Sequence, residues 1–294
     1  MKSHTYITGI ADEAAAGIHD QIACHRALGW HHMELRSVDG IALSKLSQAQ
    51  QDAMCAALSA AGIAVPVIDS QIGNWSRSIA DPFDDDLSEL TNLLELAGRT
   101  GTRMIRVMSY PNARNALWPQ ADWSTEVIRR LRILSDMAGA QGVTLVHENC
   151  AGWGGSSIAQ ALHLVEAVAD HHFRLLFDIG NGLSYGYSAL EYLKKLLPWI
   201  SHIHLKDGLV SGGKVVYSMP GEGSAELLPC LRYLSEHHYS GGYSIEPHLH
   251  LIPHLRIAPE NSTLMQSTYI SYARKTEALL AQVEHEMNGA FHVI

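Results

Sequence analysis

Four short apolar segments of the chain each end in a side chain that could bind a metal ion or carry a proton. The residues at these ends are Glu148, Asp178, His204 and Glu246. Each segment reads as a buried strand with alternating faces, so its last residues can point into a site. Three carboxylates held close together would repel one another and raise their pKa values unless a cation lay between them. Three oxygen donors and one imidazole suit Mn²⁺, Mg²⁺ or Co²⁺ better than a structural zinc ion, and Mn²⁺ is our first choice.

The segment from Ile200 to Asp207 shows this design most clearly. Read as a strand, it places Ile203 on one face and His202, His204 and Lys206 on the other. Two histidines and a lysine are unfavourable in an ordinary core, so we expect that face to line a polar site. Either histidine could be the metal ligand, and we choose His204 because it is nearer the end of the strand.

Composition narrows the class of protein. The chain has 294 residues, of which 47% are hydrophobic and 17% charged, and its formal net charge is -9. The acidic balance and the lack of a basic patch disfavour nucleic-acid binding. No apolar run approaches the roughly 20 residues that span a bilayer, and the N-terminus does not read as a signal peptide. The four cysteines form no CxxC pair, which favours a reduced, cytoplasmic protein.

Strand and helix patterns alternate along the chain in eight units. Such alternation predicts a parallel sheet with helices outside, and eight units in this length fit a closed (β/α)₈ TIM barrel made of one domain, residues 1–294. An open doubly wound sheet is the alternative, but Gly9–Asp12 is not a Gly-rich phosphate turn. We expect strands at His32–Arg36 and Ile63–Ile68, a loop at Asp207–Gly223, and a final helix at about Thr263–Glu284.

Five stretches near the predicted strand ends carry a resemblance to a known family. They are Val146–Asn149, Phe177–Asn181, His202–Asp207, Pro220–Gly223 and Ile245–His248. With them, the chain resembles the sugar phosphate isomerase/epimerase superfamily from about Thr5 to Pro247. The resemblance implies a xylose isomerase-like TIM barrel with Glu148, Asp178, His204 and Glu246 as metal ligands. It also implies, from the ketose 3-epimerase members, that the two glutamates act as acid and base.

The chain departs from the ketose 3-epimerase pattern at several positions. Asn181 stands where those enzymes have a substrate-binding histidine, and Lys206 and Asp207 follow the metal histidine where they have an arginine in the loop. Gly152–Gly155 replaces a segment that carries a further glutamate. The His-Leu-Lys-Asp form is also similar to that of inosose dehydratases, in which the lysine would contact the substrate. These departures put a simple ketohexose substrate in doubt.

Further residues are candidates for holding a substrate. They are Lys206, Asn181, Arg106, Trp75, Trp118 and Trp153. Arg106 could instead form a structural ion pair inside the barrel, and the tryptophans could serve loop packing or an oligomer contact. His248, His250 and His254 could form a second metal site, in a loop whose shape the sequence does not define.

We therefore expect a divalent-metal-dependent sugar isomerase or epimerase that acts on a ketose or related polyol-ketone. Glu148 or Glu246 would remove the proton beside a metal-bound carbonyl to form an enediolate. The nearest alternative is a metal-dependent lyase of the inosose dehydratase type, which uses the same site. A DNA-repair endonuclease or a non-catalytic sugar-binding protein fits the charge and the ligand set less well. The expected partner is a small sugar or cyclitol, with neither nucleic acid nor membrane, and homo-oligomer formation is left open.

Overall fold

A computed structural model describes residues 5–250 and 262–290 of the chain. The strands are β1 (Ile7–Gly9), β2 (Ser37–Val38), β3 (Ile41–Ala42), β4 (Val67–Asp69), β5 (Met104–Ser109), β6 (Thr144–Gly152), β7 (Phe173–Asp178), β8 (Ile200–Leu205), β9 (Gly208–Ser211), β10 (Lys214–Tyr217) and β11 (Gly242–Ile245). The helices are α1 (Ile18–Leu28), α2 (Gln48–Ala61), α3 (Asp84–Thr100), α4 (Gln120–Gly139), α5 (Ile158–Val168), α6 (Gly182–Tyr185), α7 (Ala189–Leu196), α8 (Leu227–Glu236) and α9 (Ser262–Ala290).

Seven parallel strands form one curled sheet in the order β1-β11-β8-β7-β6-β5-β4. The gap between β1 and β4 is filled by residues 32–35, which bridge Ile10 through Glu34 and Ile68 through Leu35. The predicted (β/α)₈ barrel is therefore confirmed. The prediction of a continuous strand over His32–Arg36 was wrong, because pairing there is limited to isolated bridges.

The fourth strand is also shorter than the sequence pattern indicated. The predicted strand Ile63–Ile68 is reduced to β4, which begins directly after Pro66. Proline has no backbone N–H to donate to a sheet, so the regular pairing starts beyond it. Before the proline, the carbonyl of Val65 accepts a hydrogen bond from the side-chain hydroxyl of Thr102 at 2.8 Å.

A third correction concerns residues 207–223, which we predicted to be a loop. Strands β9 and β10 form an antiparallel hairpin there, in which Ser211 pairs with Lys214. Gly212 and Gly213 both have positive φ, at 58° and 76°, as the two-residue turn of such a hairpin requires. The hairpin follows β8 directly, so it lies at the end of the barrel where β8 terminates.

The helices pack outside the sheet. Ser47 caps α2 with a full capping box, and Ser157 caps α5. The sequence after Gly223 predicts a helix from Ser224, but α8 begins only at Leu227, because Glu226 has a φ of 63°, outside the right-handed helical region. No helix within residues 5–250 or 262–290 is long and apolar enough to span a membrane. Treating residues 1–294 as a single domain stays a prediction.

Alternation along the strands separates two faces. Outward-facing residues such as Ile105, Leu145, Leu175 and Ile203 join the core between sheet and helices. Inside the barrel, Val67, Val146 and Leu176 form a small apolar cluster with Met104. Two residues further along the same strands, on the same face, come Asp69, Glu148, Asp178 and Arg106. The barrel interior is therefore apolar at the start of these strands and charged at their ends.

The buried imidazole of His25 makes stability depend on pH. His25 Nδ1 lies 2.9 Å from the carbonyl oxygen of Gln21, and Nε2 lies 3.2 Å from the hydroxyl of Tyr269 in α9. Burial lowers the pKa of His25 to about 4. Between pH 6.5 and pH 4 the unfolded chain binds this proton and the native state does not, so stability falls as pH falls. We expect this histidine to remove about 3 kcal/mol of unfolding free energy between pH 7 and pH 4.

Urea unfolding at several pH values measures the effect. His25→Gln should be less stable at pH 7 but should show a shallower loss of stability toward pH 4. His31→Gln alters an exposed histidine a few residues along the chain and should keep the wild-type pH dependence. A His25→Gln profile parallel to that of the wild type would contradict this role.

Candidate functional site

The barrel brings the four predicted metal ligands together. Glu148 lies in β6, Asp178 ends β7, His204 lies in β8, and Glu246 directly follows β11. In the sheet register Asp178 pairs with His204, so neighbouring strands present these two side chains side by side. All four residues are buried, and one ligand atom from each lies within 4.8 Å of the others.

The chemistry of this group fits a divalent cation. His204 Nδ1 lies 3.6 Å from Glu246 Oε2 and 3.9 Å from Asp178 Oδ2, and no described residue forms a hydrogen bond with it. Burial raises the pKa of Asp178 to about 8, and the neighbouring Glu246 adds to the rise despite the opposing charge of Lys206. Three carboxylates and one imidazole nitrogen form a ligand set that hard divalent ions accept. The residues present therefore fit the metal predicted from the sequence.

Glu34, which sequence reasoning missed, holds His204, the histidine predicted to bind the metal, in place. Glu34 Oε1 accepts a hydrogen bond from His204 Nε2 at 2.9 Å, and Oε2 accepts one from His202 Nε2 at 2.8 Å. Burial opposes ionisation of Glu34, but the two imidazoles outweigh it and hold its pKa well below the usual range. With its proton on Nε2, His204 directs the Nδ1 lone pair at the carboxylate cluster. This is the carboxylate–histidine arrangement that commonly orients metal ligands.

Glu148 is fixed by two donors. Asn181 Nδ2 donates to Glu148 Oε1 at 3.0 Å, and Arg106 Nη1 donates to Oε2 at 3.0 Å. The backbone N–H of Asn181 also donates to Asp178 Oδ1 at 2.9 Å. Arg106 Nε lies 3.4 Å from Asp69 Oδ1, so the arginine forms the buried ion pairs that we considered as an alternative.

Glu246 is surrounded by cations. Lys206 Nζ lies 2.6 Å from Glu246 Oε2 and 2.7 Å from Asp178 Oδ2. Arg36 Nη1 donates to Glu246 Oε1 at 3.2 Å, and His248 Nε2 lies 3.7 Å from the same oxygen. Burial opposes ionisation of Glu246, but Lys206, His248 and His204 outweigh it and lower its pKa well below the usual range.

His248 and His250, two of the three histidines considered for a second metal site, have different partners. His248 Nδ1 lies 2.8 Å from Glu13 Oε1, next to Glu246. His250 Nε2 lies 2.9 Å from the hydroxyl of Thr268 in α9. His254 lies outside the described residues, so a metal site formed by all three stays a prediction.

A cavity of about 240 Å³ opens above the four ligands. Of the residues predicted to act, it is lined by Glu148, Glu246, Lys206, Asn181 and Arg106. Its wall also includes Trp75, Tyr185, Tyr217, Arg36 and His248. The cavity thus places both glutamates and the predicted polar residues against one small molecule.

Two predicted tryptophans do not line this cavity. Trp153 is buried and packs edge-on against His163, with ring centroids 5.5 Å apart. Gly152 has a φ of 100°, which turns the chain so that Trp153 donates its backbone N–H to Ser109 and enters the core. Trp118 packs against the same core, and its backbone N–H donates to Asn112 Oδ1 at 2.9 Å. Trp75 lines the cavity instead, together with Tyr185 and Tyr217.

A closed barrel whose strand ends gather carboxylates, an imidazole and a polar cavity has the design of a (β/α)₈ barrel enzyme. The sequence model described as "Xylose isomerase-like TIM barrel" matches residues 23–267, and the chain belongs to this family.

Curated relatives of the chain include both lyases and epimerases. An inosose dehydratase from Clostridium botulinum (strain Alaska E43 / Type E3) is 28% identical over 131 residues, 40% of this chain and 44% of the relative. A 2-epi-5-epi-valiolone 7-phosphate 2-epimerase from Actinoplanes sp. is 32% identical over 135 residues, 46% of this chain and 47% of the relative. The chain thus spans about half the length of the curated relatives it matches.

The fold also matches solved structures over most of its length. D-psicose 3-epimerase from Clostridium cellulolyticum H10, solved with D-tagatose, aligns with a TM-score of 0.73 at 13% identity. The alignment covers 94% of this chain and 99% of the other. At this identity the likeness establishes the fold alone.

The position of Glu34 leads to a prediction about metal affinity. Glu34→Gln keeps the side-chain shape but loses the charge that holds His204 in one tautomer and orientation. We expect Mn²⁺ to bind about 10- to 100-fold more weakly, as measured by isothermal titration calorimetry. Glu95→Gln, which changes an exposed glutamate on α3, is the matched control. Unchanged Mn²⁺ affinity in a folded Glu34→Gln protein would show that Glu34 does not support the site.

Proposed function

We propose that the protein is a divalent-metal-dependent sugar isomerase or epimerase that acts on a ketose or a related polyol-ketone. The observation that carries this proposal is the placement of Glu148 and Glu246 on the wall of one cavity, above Asp178 and His204. In the sheet, β7 and β8 lie between β6 and β11, so the two glutamates approach that cavity from separate sides. Family membership supports the same class of chemistry.

Glu148, Asp178, His204 and Glu246 would hold the metal, with Mn²⁺ our first choice. A bound divalent ion would polarise the substrate carbonyl and make the neighbouring C–H more acidic. Glu148, oriented by Asn181 and Arg106, is in position to remove that proton from one side. Glu246, after taking up a proton from Lys206 Nζ 2.6 Å away, can return it from the other side, which inverts the carbon and gives the epimer. Return of the proton to the former carbonyl carbon gives an aldose–ketose isomer instead.

A lyase is the second candidate, and two observations favour it. Curated relatives include inosose dehydratases. Lys206 Nζ lies 2.6 Å from Glu246 Oε2 at the cavity wall, so the wall carries an ammonium group that could give a proton to a leaving hydroxyl. After the same first proton removal, loss of a β-hydroxyl as water would give an unsaturated product. Cytoplasmic location is part of the proposal and rests on the sequence, whereas homo-oligomer formation is left open.

Proton NMR in D₂O tests the reaction directly. The protein is incubated with Mn²⁺ and a panel of ketoses, aldoses and inososes, and the metal is chelated before spectra are recorded. We expect deuterium at the carbon beside the carbonyl, together with a growing epimer or isomer. Loss of water without an epimer would assign the protein to the lyases, and no exchange with any compound would contradict the proposed enzyme class.

Glu148→Gln tests the proposed base. Removal of a positioned general base lowers turnover by about 10²- to 10⁴-fold, so we expect a loss in that range or greater. Because Glu148 would also hold the metal, Mn²⁺ binding is measured on the same sample. Glu166→Gln on the exposed face of α5 is the matched control. Full turnover in Glu148→Gln would exclude this residue as the base.

A further inference from the structure

A second cavity adjoins the one above the metal ligands. It has a volume of about 340 Å³, and Arg36, Trp75 and Arg106 line both cavities. Its other walls include Gln71 and Asn74 from the segment after β4, and Ala42 from β3. None of the residues proposed to hold the metal lines this second cavity.

The volumes bear on the size of the substrate. Pockets for drug-sized ligands run from about 300 to about 1,000 Å³, and a single sugar ring is smaller than such ligands. The first cavity, about 240 Å³, suits one ring. The adjoining 340 Å³ is space that a free monosaccharide does not need, and it offers room for a substituent of at least similar size.

The charges around the shared wall disfavour an anionic substituent. Arg36 lies within 3.3 Å of carboxylate oxygens of Asp12, Glu13 and Glu246. Arg106 lies 3.0 Å from Glu148 and 3.4 Å from Asp69. Both guanidinium groups are therefore already paired with carboxylates. A phosphate or carboxylate would have to displace these partners and would meet their negative charge.

The lining suits a neutral ring that carries hydroxyl groups. Asn74 is buried, and its Oδ1 accepts hydrogen bonds from Ser76 at 2.6 and 2.9 Å. The amide nitrogen of Asn74 could therefore donate a hydrogen bond to an oxygen of the ligand. Gln71 adds a second amide side chain to the wall. The half-buried indole of Trp75 stands between the two cavities and offers an apolar face to the body of a sugar ring.

We propose that the second cavity is a subsite for a neutral glycosyl group, so that the substrate is a ketone-bearing glycoside or disaccharide rather than a free or phosphorylated ketose. The reacting ring would lie over Glu148 and Glu246, and the second ring would lie against Trp75, Gln71 and Asn74. This inference rests on the proposed function for the identity of the reacting ring.

Three probes with one ketose frame and different substituents at O6 test the proposal. They are D-fructose, D-fructose 6-phosphate, and isomaltulose, which carries a glucosyl group. Isothermal titration calorimetry with Mn²⁺ present should give an affinity for isomaltulose at least tenfold higher than for D-fructose, and no gain for the phosphate. Equal binding of the three, a preference for the phosphate, or no binding of isomaltulose would overturn the subsite.

Variants of the second cavity test whether the preference for isomaltulose arises there. Ala42→Tyr should fill the cavity and reduce the advantage of isomaltulose over D-fructose to less than twofold. Ala56→Tyr, on the exposed side of α2, introduces the same side chain elsewhere and should keep the wild-type ratio. Gln71→Ala, which only removes an amide, should lower the isomaltulose affinity severalfold and serves as the test if Ala42→Tyr does not fold. Wild-type ratios in both cavity variants would refute the proposal.

Deuterium exchange separates this inference from the proposed function. Exchange with D-fructose without binding of isomaltulose would refute the subsite and leave the enzyme class intact. If isomaltulose binds tightly, if Ala42→Tyr weakens that binding, and if no sugar exchanges deuterium, the subsite is established and the isomerase or epimerase activity is refuted.

Discussion

The structure of the barrel at the C-terminal ends of its strands depends on a balance of buried charges. Its described residues include five buried carboxylates and three cations within a few ångströms of them. They are Glu34, Asp69, Glu148, Asp178 and Glu246, with Arg36, Arg106 and Lys206. Removing one member of such a set leaves a buried charge uncompensated, which is strongly destabilising. Each cation is therefore placed by the carboxylates around it, and each carboxylate has only a narrow range of positions.

The residue after Lys206 holds a nearby turn of the chain in place. Asp207 follows Lys206 and accepts backbone hydrogen bonds from Gly208, Gly221, Gly223 and Ala225, at 2.8 to 3.3 Å. A Cβ at Gly223 would lie 2.1 Å from Asp207 Oδ1, so only glycine allows this approach. Asp207 thus fixes the Pro220–Gly223 turn beside the strand end. This contact ties the turn to the strand that positions Lys206.

Much of this arrangement could be predicted from sequence because it repeats along regular strands. Alternating apolar residues located the strand ends at Glu148, Asp178, His204 and Glu246, and a closed barrel then had to bring those ends together. The role of Glu34 was not predicted. Its segment pairs only through isolated bridges, and in the sequence Glu34 is a single charged residue between Met33 and Leu35. Nothing local indicates that its partners are 168 and 170 residues away.

The loops were harder to predict than the strands, for a physical reason. The Gly212–Gly213 pair lies between two short apolar runs, Leu209–Val210 and Val215–Val216, and was a hairpin signal that our interpretation of this segment as a loop overlooked. Trp153 is different, because the turn at Gly152 that carries it into the core depends on close contact with Ser109. A Cβ at Gly152 would lie 2.3 Å from the Ser109 carbonyl carbon. Such a contact between distant segments has no signature in local sequence.

In the proposed reactions, epimerisation and elimination begin with the same proton transfer and differ in where a proton is next delivered. Glu148 has an amide and a guanidinium as its hydrogen-bond donors, and neither group readily gives up a proton. Glu246 instead touches the ammonium of Lys206, which unlike a guanidinium can give up a proton. Burial opposes the charge of Lys206, but Asp178 and Glu246 outweigh it and hold the pKa well above the usual range, so the proton is given up only as the reaction demands it. The two sides of the cavity are thus chemically unequal. The outcome should follow from which substrate atom, a carbon or a leaving oxygen, comes to lie against the Glu246–Lys206 side.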